Sequence, residues 1–185
     1  MWTRKMKGAA MAAAVVLATF GFVRMGHAGT NDAQLVSDAR QTIALYKRAD
    51  PGIESFLRRS VGYVVFPGIG KGGLGIGGAH GTGVLFENGA PVGKVTMNQV
   101  TIGAQAGGQE FSQIIFYEIP RAVQELKGGN ASFSAGVSAV ALTSGAAANA
   151  RFKNGVAVFT ASKGGLMLEA SVGGQKFSYE PLPAL

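Results

Sequence analysis

The residues that could carry chemistry in this chain are few and scattered. Only two histidines occur among its 185 residues, His27 and His80, and there is no cysteine. Thiolate catalysis, disulfides and Cys-ligated metals are therefore excluded. His80 sits in a glycine-rich stretch with no carboxylate nearer than Glu87. General-base work needs a partner that orients the ring, so His80 reads as structural or exposed. The ten acidic residues form no convincing pair, and no cluster of ligand types suggests a metal site. Ser162-Lys163 has the composition of a Ser–Lys couple, but adjacent residues on a strand point to opposite faces. No catalytic residue, metal or cofactor is expected, and binding is the function class that remains.

The stretch that the rest of the chain must position is Tyr63 to Asn88. Nine of the sixteen residues from Gly68 to Gly83 are glycine, bounded on both sides by apolar runs. Gly68, Gly70 and Gly73 satisfy G-x-G-x-x-G, as do Gly73, Gly75 and Gly78. A dinucleotide site needs a strand before that motif and a helix opening at its end. Here Pro67 intervenes and no helical pattern follows. A P-loop fails because Gly70-Lys71 is followed by Gly72 instead of Ser or Thr. In Gly73-Leu74-Gly75-Ile76-Gly77 apolar residues alternate with glycine, which is a strand signal. Leu74 and Ile76 would line one face, and the bare backbone of the other suits close approach of a second element or a ligand.

The same residues carry a family resemblance. Aliphatic-Pro-x-x-x-Lys-Gly-Gly-x-Gly-x-Gly-Gly from Val64 to Gly78, followed by Gly-x-Gly-Val-Leu from Gly81 to Leu85, resembles the SYLF domain family, also known as an actin-binding domain family. Further matches follow in order at Thr101 to Gly108 (TIGAQAGG) and Ala161 to Leu166 (ASKGGL). The resemblance covers about Asp32 to Tyr179. One departure stands out: many members carry Trp-Ser-x-Pro before the central strands, where this chain reads Gly89-Ala90-Pro91-Val92-Gly93. The resemblance implies lipid binding, notably to phosphoinositides in eukaryotic relatives, and links to actin in some.

Composition and charge bound the rest. Residues 1–28 read as a secretory signal peptide, with Arg4, Lys5 and Lys7 before an uncharged run from Gly8 to Val23 and a small-x-small site at Gly26-His27-Ala28. An uncleaved inner-membrane anchor is the alternative, although the run is short of the roughly 20 residues a spanning helix needs. A bacterial periplasmic destination follows, where actin is not expected as a partner. Without Arg4, Lys5, Lys7 and Arg24, the 17 basic residues become 13 against 10 acidic ones, a net of +3 in place of +7. So modest an excess argues against nucleic acid and leaves attraction to anionic lipid open. Residues 29–185 suit a single domain. Charged residues are 15% and apolar ones 47%, which argues against disorder.

Thr30 to Ala49 is expected to be a helix with Leu35, Val36, Ala39, Ile43 and Tyr46 on one face. Packing on a sheet and lying on a membrane surface both remain open for it. Asp50-Pro51 should start a second helix that ends at Arg58 and Arg59. Pro120 to Lys127 should be a third, stopped by Gly128-Gly129. Strands are expected at Val61 to Phe66, Val84 to Phe86, Val92 to Met97, Phe111 to Tyr117, Val156 to Ala161 and Lys176 to Tyr179. A small-residue strand is further expected around Phe133 to Ala141, and another strand where Leu166, Leu168, Ala170 and Val172 alternate. Asn88-Gly89 and Asn154-Gly155 mark hairpin turns, and the switch of apolar parity after Met97 suggests a bulge near Asn98-Gln99. The fold class is α+β: a mainly antiparallel β sandwich or barrel-like sheet, with an N-terminal helical segment and one further helix packed on it.

The candidate site is therefore a lipid-binding one. Lys71 and Lys163 lie inside the stretches that match the family, and glycines around Lys71 would let backbone N–H groups join it on a phosphate oxygen. That motif comprises Gly68, Gly70, Gly72, Gly73, Gly75, Gly77 and Gly78. Arg58, Arg59, Lys94, Arg151 and Lys153 are candidates on charge alone. The alternative function is a structural or protein-interaction role in the envelope, in which glycine-rich strands self-associate or dock a partner.

Overall fold

A computed structural model describes residues 27–129, 131–133, 139–163 and 174–183; the side chains of residues 27–30, 74–76 and 101–107 lie outside the description. The elements run α1 (His27–Ala49), α2 (Ile53–Arg59), β1 (Gly62–Glu87), β2 (Ala90–Tyr117), α3 (Pro120–Lys127), β3 (Ala139–Ala141), α4 (Ala146–Asn149), β4 (Val156–Ser162) and β5 (Gln175–Pro181). The described strands form a five-stranded sheet in the order β1-β2-β4-β3, with β5 also pairing β2. All pairings are antiparallel except β3 with β4. The sheet is not closed into a barrel. The α+β class, the N-terminal helices and the further helix agree with the sequence reading.

One hairpin dominates. β1 and β2 are joined by Asn88-Gly89, whose φ values of 51° and 78° are those a type I′ turn requires. The strand signal at Gly73 to Gly77 agrees with the structure, but the apolar segments on either side are not separate strands: all belong to one strand of 26 residues. Glycine costs a strand stability through lost entropy and packing. Here the cost is offset by pairing with β2 along almost the whole length of β1. Register shifts fall between Phe66 and Ile69, Leu74 and Ile76, and Leu85 and Phe86. Around the second, Leu74 faces Ala106 whereas Ile76 faces Ile102. The irregularity in β2 thus lies between Ile102 and Ala106, not at Asn98-Gln99, where the ladder is continuous. Val95, Met97 and Gln99 keep one buried face, and the parity switch instead leaves Val100 exposed at 74%.

The hairpin is folded upon itself, and glycine permits it. A Cβ at Gly83 would lie 2.5 Å from the Val65 carbonyl oxygen and 2.7 Å from the Phe66 ring; one at Gly81 would lie 2.7 Å from the Ile69 side chain. The half of β1 before the shift at Leu74 thereby meets the half after it. Between them lies one core, with Val64, Phe66, Ile69, Phe111 and Ile115 from one side and Leu85, Val95, Met97 and Phe177 from the other. α3 adds Val123 and Leu126 to it. The close approach expected of bare backbone is found at Gly81 and Gly83. Leu74, Gly75 and Ile76 lie among the residues whose side chains are not described.

A second core covers the opposite face. Ala39 and Tyr46 of α1 and Ile53 and Phe56 of α2 pack on Val65, Val84, Phe86, Ile114, Phe116 and Phe159. The apolar stripe of α1 is therefore spent on the sheet, and the Tyr46 hydroxyl donates to the Ser112 carbonyl at 2.9 Å. α2 begins two residues later than Asp50-Pro51 suggested. Asp50 is buried, and its carboxylate accepts from the N–H of Gly52 at 2.9 Å and of Ala147 at 2.7 Å. It ties the turn before α2 to α4. Residues 134–138 and 164–173, which hold most of two expected strands, lie outside the described residues.

Candidate functional site

The seven basic candidates do not converge. β1, β2 and β4 are in register where Ile69 faces Phe111 and Phe111 faces Ser162. Lys71 and Lys163 thus lie at the same level of the sheet. Alternation puts Lys71 on the face of Ile69, opposite Gln109, and Lys163 on the other face with Glu110. The Lys163 ammonium pairs with the Glu110 carboxylate at 2.6 Å, above Gly68. Around Lys71, Gly70, Lys71 and Gly72 are extended and paired with Glu110, Gln109 and Gly108. Successive N–H groups of a strand point to opposite edges, so they form no concave nest around one anion.

The others are dispersed. Arg59 pairs with Glu118 at 2.5 Å and lies over the Phe152 ring, 5.0 Å from its centroid. Glu118 is eight residues beyond Glu110, about 26 Å at strand rise. Lys94 is held by Glu180 at 3.1 Å and Asp32 at 3.8 Å. The hydrogen bond it donates to Glu180 raises its pKa most, against partial burial, with Asp32 adding in the same direction. Arg151 donates to the carbonyls of Ala148 and Ala150 at 2.8 and 2.7 Å, answering the last turn of α4. Lys153 is exposed at the start of the turn into β4. His80 meets an amide, not a carboxylate: its Nδ1 lies 2.8 Å from the Asn98 oxygen across the ladder.

Arg58 is the candidate that the fold gives company. A cleft of about 480 Å³ opens between α1, α2 and the β1–β2 turn. From α1 it receives Arg40, Ile43 and Lys47, from α2 Glu54, Leu57 and Arg58, and from the sheet Tyr63 with Asn88-Gly89 at the rim. Lys47 and Glu54 pair at 2.6 Å. That hydrogen bond is the first cause holding the Glu54 carboxyl below its usual value. Arg58 lowers the same carboxyl further through its charge, without forming an ion pair with it, and among the described residues no carboxylate pairs with Arg40. Arg40 lies over the Phe86 ring at 5.6 Å, and Tyr63 stacks on the same ring system at 5.3 Å and 13°. Burial raises the Tyr63 phenol, with Arg40 acting against it, so that side chain is a neutral donor. Two guanidiniums above Ile43, Leu57 and an aromatic ring suit an anion attached to an apolar body, because guanidinium matches phosphate or carboxylate with paired donors.

Sequence reading found Arg58 but missed Arg40. The signal was present: Arg40, Ile43 and Lys47 recur at helical spacing on one side of α1. Nothing in the sequence indicated that α2 and a hairpin turn would face that side.

Compared with known proteins, the chain matches no family model, and no curated protein is similar to it in sequence. Among the described residues, no helix is long and apolar enough to cross a membrane.

Proposed function

We propose that this protein is a non-catalytic lipid-binding module of the bacterial cell envelope that recognises anionic phospholipid head groups from the periplasmic side. The observation that carries the reading is the cleft between α1, α2 and the Asn88-Gly89 turn, where Arg40, Lys47 and Arg58 outnumber the one carboxylate, Glu54, and Ile43 and Leu57 add apolar surface. The resemblance of the glycine-rich stretch to the SYLF domain family supports the same class. In this reading the glycines serve the fold of the β1–β2 hairpin, and the charge that meets lipid comes chiefly from the helices. Lys71, on the other face, adds only long-range attraction.

Co-sedimentation with neutral and anionic liposomes at low and moderate salt tests this. Selective binding to anionic vesicles that weakens with salt is expected. Equal binding to both vesicle types, or none, would remove the lipid reading. The second reading, self-association, rests on β1 being the terminal strand of the sheet order among the described strands. It predicts a particle size that rises with concentration and is indifferent to lipid.

A further inference from the structure

Glu54 is the one carboxylate among the described residues that line the cleft of Arg40, Lys47 and Arg58. A short, fixed connection brings it there. Only Asp50, Pro51 and Gly52 separate α1 from α2. The Asp50 amide donates to the Tyr46 carbonyl at 2.9 Å, and its buried carboxylate accepts from the N–H groups of Gly52 and Ala147. The last turn of α1 and the first turn of α2 are therefore held close, and Lys47 reaches Glu54 at 2.6 Å. Arg58 follows Glu54 by four residues on α2, a spacing that sets a carboxylate and a cation side by side on a helix. Both cations hold the Glu54 carboxyl below its usual value, the Lys47 hydrogen bond first and the Arg58 charge after it. The carboxylate thus draws on an ammonium from one helix and a guanidinium from the other, the groups an entering anion would use.

Three cations less one carboxylate leave an excess of two positive charges in the cleft. A phosphodiester headgroup carries a single negative charge, whereas a phosphomonoester carries about −1.5 to −2 at pH 7. A singly charged headgroup that displaces Glu54 exchanges one anion for another and gains little. A phosphomonoester brings more charge than it displaces, and its three terminal oxygens can take donors from both guanidiniums at once. Tyr63 adds a neutral donor, because burial raises its phenol. The Ser60 hydroxyl does not, since it donates to the Phe56 carbonyl at 2.6 Å.

We infer that Glu54 is the specificity-determining residue of this cleft: an internal competitor that turns away singly charged phosphodiester headgroups and yields Lys47 and Arg58 to a doubly charged phosphomonoester. The inference rests on the lipid reading proposed above and names the headgroup class within it.

The test compares the purified protein with its Glu54→Gln and Lys47→Ala variants on phosphatidylcholine vesicles near neutral pH. The vesicles carry either phosphatidate, a phosphomonoester, or phosphatidylglycerol, a phosphodiester, at matched surface potential. The unaltered protein should prefer phosphatidate about fivefold, the effect of roughly one further charge contact. Glu54→Gln should raise affinity for phosphatidylglycerol about fivefold and for phosphatidate much less, so that the preference collapses. Lys47→Ala should collapse it from the other side, by weakening phosphatidate binding and leaving phosphatidylglycerol nearly unchanged. Both substitutions act on an exposed pair, and Gln keeps the helix propensity of Glu, so the thermal midpoints should barely move. Glycerol 3-phosphate, a soluble phosphomonoester without an apolar body for Ile43 and Leu57, should not displace the protein from phosphatidate vesicles. Displacement at concentrations equal to the lipid's would overturn the headgroup assignment in favour of a free ligand. Equal affinity of the unaltered protein for the two vesicle types, or a preference that survives Glu54→Gln, would overturn the role of Glu54 and leave the lipid reading standing. Failure to bind either anionic vesicle would remove both.

Discussion

The side-chain amides of Gln113 and Gln175 hydrogen-bond each other in both directions, at 3.0 and 3.1 Å, and neither residue is exposed. Gln113 belongs to the stretch of β2 that pairs with β4, whereas Gln175 is paired with Gln99 in the other half of β2. The amide pair therefore joins the second half of β2 to β5 and, through β5, to the first half of β2. Each amide satisfies the other where no water reaches. Gln113→Leu alone should cost about 2–3 kcal/mol by stranding the Gln175 amide. Adding Gln175→Leu should return part of that loss. Urea denaturation of the two single variants and the double variant checks the cycle, and strictly additive losses would contradict it.

The glycines of β1 should divide sharply in their tolerance of a methyl group. Gly83 has the Val65 carbonyl and Phe66 ring in the way, whereas at Gly70 a Cβ would meet nothing within 4 Å. Gly83→Ala is expected to destabilise by about 1–3 kcal/mol through overpacking. Gly70→Ala should be neutral or slightly stabilising, because it restricts the unfolded chain. Thermal midpoints of the two variants decide the matter.

Stability should decline on the alkaline side. Burial raises the phenols of Tyr46 and Tyr117, and the Glu180 hydrogen bond raises Lys94. A group whose folded pKa lies above its unfolded value contributes stability fully below the unfolded pKa and loses it as pH rises toward the folded one. For tyrosine that loss begins near pH ~10 and proceeds at up to about 1.4 kcal/mol per pH unit for each phenol. Tyr117→Phe is the cleaner probe, since it breaks no hydrogen bond. Its denaturation midpoint should fall less steeply between neutral and strongly alkaline pH than that of the unaltered protein. Identical slopes would count against the assignment.

Lipid binding should distinguish the cleft from the motif lysines. Arg40→Ala and Arg58→Ala should each lower affinity for anionic vesicles about fivefold at low salt, the value of roughly 1 kcal/mol per basic residue near a charged surface. Lys163→Ala should change it little, because Glu110 already answers that charge. If Lys163→Ala proved the more damaging, the binding surface would lie on the strands near Gly68 instead.

Much was legible in the sequence because it depends on neighbours in the chain. Asn88-Gly89 and Asn154-Gly155 specify tight turns through their positive φ. Pro120 and Gly128 bracket α3, and alternation or helical spacing marks α1, β4 and β5. Local chemistry alone decides such features, and the scarcity of catalytic residue types is a matter of composition. What depends on distant segments was not legible. Nothing local separates a glycine that spaces two strands from one that admits Val65 and Phe66 to the same core, as Gly83 does. The faces of Lys71 and Lys163 follow from register between residues 42 and 51 positions apart, Ile69 with Phe111 and Phe111 with Ser162. Arg40 joins Arg58 only after the long hairpin has folded over and α1 and α2 have packed on one face of it. The sequence by itself determined the first three helices, the apolar strand segments and the tight turns. The tertiary structure decided which charges remain unanswered and what they surround, because pairing and burial are properties of segments brought together across the sheet.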